Sequence, residues 1–425
     1  MRIAAPAQAS RRLPLAALIA ANAVSELGNV IASVAIPWFV LQTTGSAAKT
    51  GLVAGSMVLA FVIAGFLGGP LVDRTGLKIT SIVSDIASGT TIAMIPLLYI
   101  TVGLAYWQLI VLTFVGALLD APGKTARRGM VPRLAELARM PLEKANSLYL
   151  SAGRLAQLLG PAVGGILIAS LGVHNALWAD AATFALSAIV VFVAVPGAWT
   201  SNEAQTEYAS GPRAYLAELA EGLRFIRKNT LVLSIVVVYT VTEFLDAPLT
   251  PVILPVYADS IYGSAAKLGL MVAGLGAGAL VGSLLYGVVG TRLHGGRLFL
   301  WSMIALQLPL WLLAATPALP VALLGLFITG VAAGLLNVML YTVVQDQTPH
   351  DMLGRVLGAF FAVGMSAVPL GMTGAGWLLE GVGLRYTIIV IAACYAAVTL
   401  GLLLNPVLRS MSTPSENPRI ERNAE

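Results

Sequence analysis

Residues 15–42 read LAALIAANAVSELGNVIASVAIPWFVLQ, a run whose single charged side chain is Glu26. As a helix rising 1.5 Å per residue it would reach about 42 Å, more than the roughly 30 Å hydrocarbon core of a bilayer. A charge near the bilayer centre costs about 2.5–3.5 kcal/mol on insertion scales, so Glu26 is expected to face a cavity or a partner rather than lipid. The pattern recurs. Val24-Ser25-Glu26 returns as Val241-Thr242-Glu243, 217 positions later and again inside a long apolar run. Two embedded carboxylates at one offset point to a duplicated membrane machine.

The rest of the chain has the same character. Of its 425 residues 58% are hydrophobic and 11% charged, with a mean hydropathy of +0.86, too little polar surface for a water-soluble fold. About 20 apolar residues per crossing places spans near 15–42, 50–71, 77–101, 107–121, 143–170, 174–196, 230–258, 268–290, 298–316, 319–345, 354–379 and 384–405. The fourth is short, and its helix is expected to continue beyond Pro122. The runs are too long and too uniformly apolar for barrel strands. The predicted fold is therefore an all-α membrane protein with twelve transmembrane helices in two pseudo-symmetric six-helix bundles.

Charge fixes the expected orientation. With the N-terminus inside, 21 of the 25 Lys and Arg fall in cytoplasmic segments, Lys124, Arg127 and Arg128 among them. Lys49, Lys267 and Arg385 fall outside, and Arg154 lies within a span. The positive-inside rule then puts both termini in the cytoplasm, as for a multi-pass protein of a bacterial plasma membrane. The basic pI near 9.3 reflects this topology and offers nothing to nucleic acid. The first apolar run exceeds a signal-peptide core and is read as a retained span.

Pro196-Gly197 ends the sixth span, and the polar stretch 199–212 reads as a linker. Beyond it Leu216, Leu219, Ala220, Leu223 and Ile226 share one helical face opposite Glu218, Glu221 and Lys228, the pattern of a helix lying on an interface. The expected domains are a tail at 1–14, a bundle at 15–196, a linker with its amphipathic helix at 197–229, a second bundle at 230–405 and a tail at 406–425. The halves correspond at polar positions too. Asp120 lies over Asn337, Thr125 over Thr342, Pro132 over Pro349 and Asn29 over Asp246. Such parallel six-helix repeats recur among transporters.

Between the second and third spans stands Gly69-Pro70-Leu71-Val72-Asp73-Arg74-Thr75-Gly76-Leu77-Lys78. This resembles the signature loop of the major facilitator superfamily, with Leu77 where a basic residue is common. The resemblance implies a gating role for Gly69, Asp73, Arg74, Gly76 and Lys78, with Asp73 and Arg74 latching onto the start of the eleventh helix near Arg355. Gly160, Pro161, Gly164 and Gly165 resemble the core of a motif associated with proton-driven exporters of that superfamily. Asp120-Ala121-Pro122, Ala145-Asn146-Ser147, Asp180-Ala181-Ala182 and Gly222-Leu223-Arg224 are similar to its drug, macrolide and siderophore proton-antiporter branch.

In that superfamily helices one, four, seven and ten line a central cavity, with two and five beside them. Depth estimates place Glu26 and Arg154 each about 16 Å from a membrane face and Glu243 about 18 Å, so Glu26 and Arg154 are expected to pair. Glu26, Arg154, Glu243 and Asp246 form the proton-coupling set, Asp246 standing one turn beyond Glu243 on the same face. Desolvation opposes the charged carboxylate and a nearby guanidinium favours it, a balance suited to proton exchange. Asn22, Asn29, Trp38, Tyr239, Phe244, Asn337, Tyr341 and Phe361 complete the candidate cavity. Asp85 and Asp180 are read as structural, and Gly274, Gly276, Gly278 and Gly282 as packing glycines.

Enzymatic readings find no support. His174, His294 and His350 fall in loops, and Cys394 is the lone cysteine; no hydrolase, zinc-protease or nucleotide-binding motif appears. No cofactor or metal is expected. The expectation is a monomeric secondary active transporter, a proton-coupled exporter of amphipathic or cationic small molecules. The alternatives are an uptake symporter and a non-transporting sensor or scaffold of the same fold.

Overall fold

The computed structural model describes residues 8–196, 212–289 and 295–404, and among these there is no strand. The helices run α1 (Gln8–Thr44), α2 (Ala47–Thr75), α3 (Leu77–Thr101), α4 (Tyr106–Leu137), α5 (Leu142–Leu171), α6 (Val173–Ala194), α7 (Pro212–Lys228) and α8 (Thr230–Asp246), followed by α9 (Leu254–Tyr257), α10 (Ala265–Val289), α11 (Gly295–Ala314), α12 (Leu319–Gln347), α13 (Leu353–Val382) and α14 (Leu384–Leu404). Among the described residues eleven helical stretches are long and apolar enough to cross a membrane, and Leu298–Ala314 is a shorter apolar helix. The expected ninth span, 298–316, is this shorter one.

Two units form. One holds α1 to Gly45, α2 from Val53 and α3 to α6; the other holds Ser46–Leu52 and the helices from Pro212 onward. In the first, α1 packs on α5 and α6, and α3 packs on α4 and α6. In the second, α8 packs on α13, and α11 on α12 and α14. These pairings correspond at the offset seen in the sequence, whereas the extensive α10–α12 contact of the second unit has no counterpart of similar extent between α2 and α4 among the described residues.

Helix α3 shows how such a unit is built. Ile79, Val83 and Ile86 form an exposed apolar stripe, while Thr80, Ser81, Ser84, Asp85 and Ser88 are buried. Lipid takes the apolar face, and polar groups turn inward, where partners exist. Small residues bring α4 close: Gly123 lies against Ser84 and Gly116 against Thr91, and Ser88 Oγ donates to the Gly116 carbonyl at 3.2 Å. At one end, Leu18, Met130, Leu134, Ala145 and Val191 close an apolar core contributed by α1, α4, α5 and α6.

The deepest interaction in this unit is ionic. Arg127 of α4 and Asp85 of α3 are both fully buried, with Nη1 2.6 Å from Oδ1. Ser187 of α6 donates to the other carboxylate oxygen at 2.7 Å, and Arg127 Nη2 donates to Ser25 Oγ of α1 at 3.3 Å. Four helices thus meet at one charge pair. As expected, α4 continues as helix beyond Pro122, through Pro132, and carries Lys124 and Arg127 as helical residues. Hydropathy loses the span at Pro122, but proline in an embedded helix is tolerated where neighbours satisfy the freed backbone groups.

The second unit relies on glycine. A Cβ at Gly330 or Gly334 of α12 would collide with the Leu275 or Ala279 carbonyl of α10, and one at Gly278 or Gly282 would meet the Phe327 or Val331 carbonyl. This is the small-residue contact that lets membrane helices approach closely. Gly276 differs from expectation, because a side chain there would meet open space. Past Asp246 the backbone widens into π turns at Leu249–Ile253 and Ala258–Tyr262. Pro251 and Pro255 lack the N–H groups a regular helix needs there. Helix α7 docks on α13, Gly222 under the Arg355 carbonyl and Glu221 Oε2 3.1 Å from Arg355 Nη1.

Two stability predictions result. Asp85→Ala strands a buried guanidinium and is expected to cost about 3–5 kcal/mol, read as a lowered thermal midpoint in detergent, while Asp85→Leu with Arg127→Met recovers most of the loss. An unchanged midpoint for Asp85→Ala would contradict this role. Gly330→Val forces α10 and α12 apart at a cost of about 1–3 kcal/mol, whereas Gly276→Val stays near the native midpoint; equal effects would refute the glycine contact.

Candidate functional site

Within the first unit lies a cavity of about 660 Å³. Helix periodicity selects its walls. Asn22 and Glu26, one turn apart, come from α1; Ala121, Lys124, Thr125 and Arg128 come from one face of α4; Leu150, Gly153, Arg154 and Gln157 come from one face of α5. Phe61, Ala64 and Gly65 of α2 supply an apolar side, and Tyr149 closes the wall beside Asn22, donating to its Oδ1 at 2.8 Å. Glu26 and Arg154 both line this cavity.

Its electrostatic partner is different. Lys124 Nζ stands 3.3 Å from Glu26 Oε1 and 3.1 Å from Asp120 Oδ2. The expected Glu26–Arg154 pair is therefore replaced by a lysine shared between two carboxylates, with Arg154 elsewhere on the same wall. Asp120 also approaches Arg127 Nη2 at 3.9 Å, so the cavity network connects to the buried pair behind it. Asp120, Lys124 and Arg128 follow at intervals of four, which a helix places on one face. That spacing was visible in the sequence.

Other expected residues divide. Trp38 is buried among apolar neighbours, at 8% exposure, and Asn29 is absent from the cavity lining, its Nδ2 buried without a partner; both are corrections to the expected lining. Asp180 is fully buried beside Thr183, its Oδ1 3.5 Å from the hydroxyl, where Gly28 leaves room for it. Gly160 and Gly164 face Val30 and Ile31, and Pro161 and Gly165 are buried in the same helix. The motif thus holds α5 against α1, the helix that carries Glu26.

In the second unit Tyr239 stacks on Phe360 with ring centroids 4.4 Å apart and has its hydroxyl near the Glu243 carboxylate. Phe361 stands edge-on to Tyr239 at 6.4 Å and tilted against Tyr341 at 6.0 Å. Asp246 hydrogen-bonds Tyr395, whose hydroxyl is also 3.3 Å from the Thr242 carbonyl. Phe244 and Asn337 are exposed. Glu243 and Asp246 therefore each have a tyrosine hydroxyl at hand, and the aromatic group sits one turn from Glu243.

The signature stretch also takes a form the sequence reading did not anticipate. Residues 69–75 are the last turns of α2 rather than a loop, and the chain reverses at Gly76, whose φ of 81° suits glycine. Lys78 Nζ donates to the Phe192 and Val195 carbonyls at 2.9 and 2.6 Å, capping the C-terminus of α6, where a cation is favoured. The side chains of Gly69's neighbours Asp73 and Arg74 lie outside the described residues. Arg355 has Glu221 as its partner, a half-exposed pair of the kind that contributes about 0.2–1 kcal/mol.

Comparison with known proteins places this geometry in a family. A profile described as transmembrane secretion effector matches residues 8–423. The chain is 30% identical over 411 residues to the multidrug efflux pump Tap of Mycolicibacterium fortuitum, covering 96% of this chain and 99% of that one. It is 26% identical over 409 residues to the enterobactin exporter EntS of Salmonella typhimurium, covering 95% and 94%. A crystal structure of the nucleoside transporter NupG matches in fold, with a TM-score of 0.77 at 13% identity over 92% of this chain and 98% of that one. The chain is a multi-pass membrane protein that belongs to the transmembrane secretion effector family of the major facilitator superfamily.

Proposed function

We propose that this protein is a proton-coupled efflux transporter of amphipathic small molecules, working as a monomer in a bacterial plasma membrane with both termini in the cytoplasm. The observation that carries the reading is Lys124 held between Glu26 and Asp120 at the cavity wall. A proton arriving on Glu26 cancels its attraction for the ammonium and leaves Lys124 to Asp120 alone. The contact between α1 and α4 is thereby made to depend on proton occupancy. One charge crossing 100 mV carries about 2.3 kcal/mol, enough to bias a two-state transporter by more than tenfold. The names of the relatives, a multidrug pump and an exporter, support the outward direction.

Each gating and antiporter residue has a place in this reading. Gly160 and Gly164 let α5 approach α1 closely, so a change at Glu26 is felt across that contact. Asp73 and Arg74 serve as the cytoplasmic latch toward Arg355. Glu243 and Asp246, each beside a tyrosine hydroxyl, are the second unit's contribution to proton binding, and Tyr239, Phe361 and Tyr341 offer flat apolar surface to a substrate.

The test is transport in proteoliposomes with an acidic interior. Native protein is expected to accumulate lipophilic drugs as protons leave, and Glu26→Gln to lower that gradient-driven accumulation by about tenfold or more, the worth of one charge-assisted contact. Accumulation at the native rate in Glu26→Gln would refute the coupling role. Substrate and protons moving in the same direction would refute efflux.

A further inference from the structure

The charge on the cavity wall is unbalanced. Glu26 is its one carboxylate, against Lys124, Arg128 and Arg154. Lys124 is already engaged by Glu26 and Asp120. Arg128 and Arg154 have no carboxylate partner among the described residues, and both are exposed on the wall. They come from different helices, α4 and α5, so two guanidiniums converge on one void from separate directions. Gln157, one turn from Arg154, adds an amide to the same wall.

Guanidinium groups without a protein counter-ion are prepared to receive one from outside. Arginine's planar fork suits carboxylates and similar delocalised oxyanions, and such charge-assisted bonds are about twice as strong as neutral ones. Topology alone does not account for both residues. A cytoplasmic mouth attracts basic side chains, yet Arg154 stands well inside α5 and on the face that lines the void. Phe61 and Leu150 of the same wall give an apolar body something to lie against.

We propose that Arg128 and Arg154 form an oxyanion-binding subsite, which takes the carboxylate or other acidic oxygen of an amphipathic solute while its apolar part rests on α2 and α5. This rests on the efflux reading for its purpose but not for its existence, since binding is measurable without transport. The subsite makes the first unit selective for acidic solutes over neutral analogues of the same shape. Lys124 stays with Glu26 and Asp120, so the proton site and the anion site are adjacent and separate.

The experiment compares three probes on one aromatic body: pyrenebutyrate, its methyl ester, and pyrenebutyl-trimethylammonium. Binding is measured at neutral pH to the protein in nanodiscs of zwitterionic lipid, with empty nanodiscs subtracted. The carboxylate is expected to bind about tenfold or more tightly than the ester. The double variant Arg128→Gln/Arg154→Gln is expected to bring that ratio close to one, and Arg128→Lys/Arg154→Lys to restore part of it. The single glutamine variants give the same readout if the double variant does not fold. Equal binding of carboxylate and ester, a preference for the ammonium probe, or a carboxylate preference that survives both glutamine substitutions overturns the assignment. Carboxylate selectivity without gradient-driven accumulation in proteoliposomes would leave the subsite standing and remove efflux; accumulation without that selectivity would do the reverse.

Discussion

A guanidinium and a carboxylate, neither with any exposure, hold the first unit's helices in register. Removing two charges from water carries a penalty of several kcal/mol per ion, which is offset only when geometry and additional hydrogen bonds are favourable. Arg127 meets those terms with Asp85 at its fork and Ser25 beside it, and Ser187 completes the carboxylate. In a lipid environment, where apolar burial discriminates little between helix contacts and lipid contacts, such a pair supplies specificity that leucine packing does not. It fixes the rotation of α3 and α4 about their axes. That rotation in turn points Lys124 and Arg128 toward the void.

Function is thus layered on structure along one helix. Arg127 faces the protein interior, while Lys124 and Arg128, a turn apart, face the cavity. The same helix carries a charge that should never move and charges whose partners are expected to change. The second unit solves its packing differently, through backbone-to-backbone approach at Gly278, Gly282, Gly330 and Gly334, and keeps Glu243 and Asp246 beside tyrosine hydroxyls rather than cations.

The two carboxylates that mark the internal repeat have therefore diverged in chemistry. Glu26 meets an ammonium, whereas Glu243 meets a phenol. An ammonium can be handed between two acids as protons come and go. A phenolic hydroxyl offers a hydrogen bond to either protonation state and is itself part of an aromatic surface with Phe360 and Phe361. Symmetry in the backbone, accordingly, does not impose symmetry in the site.

Much of the architecture was legible in the chain. Long apolar runs have one solution in a bilayer, because backbone groups without water must bond within a helix, and the matched Glu26 and Glu243 exposed the duplication. The glycines of the GPxxGG stretch at 160–165 were also readable as close-packing positions. The ends of helices were less so: the stretch at 69–75 looks like a loop until its backbone is seen to continue α2. Which cation faces Glu26 was settled only in three dimensions. Depth along an axis points to Arg154, but the rotation of α4 and α5, fixed by buried contacts distant in sequence, brings Lys124 to Glu26 and leaves Arg154 elsewhere on the wall.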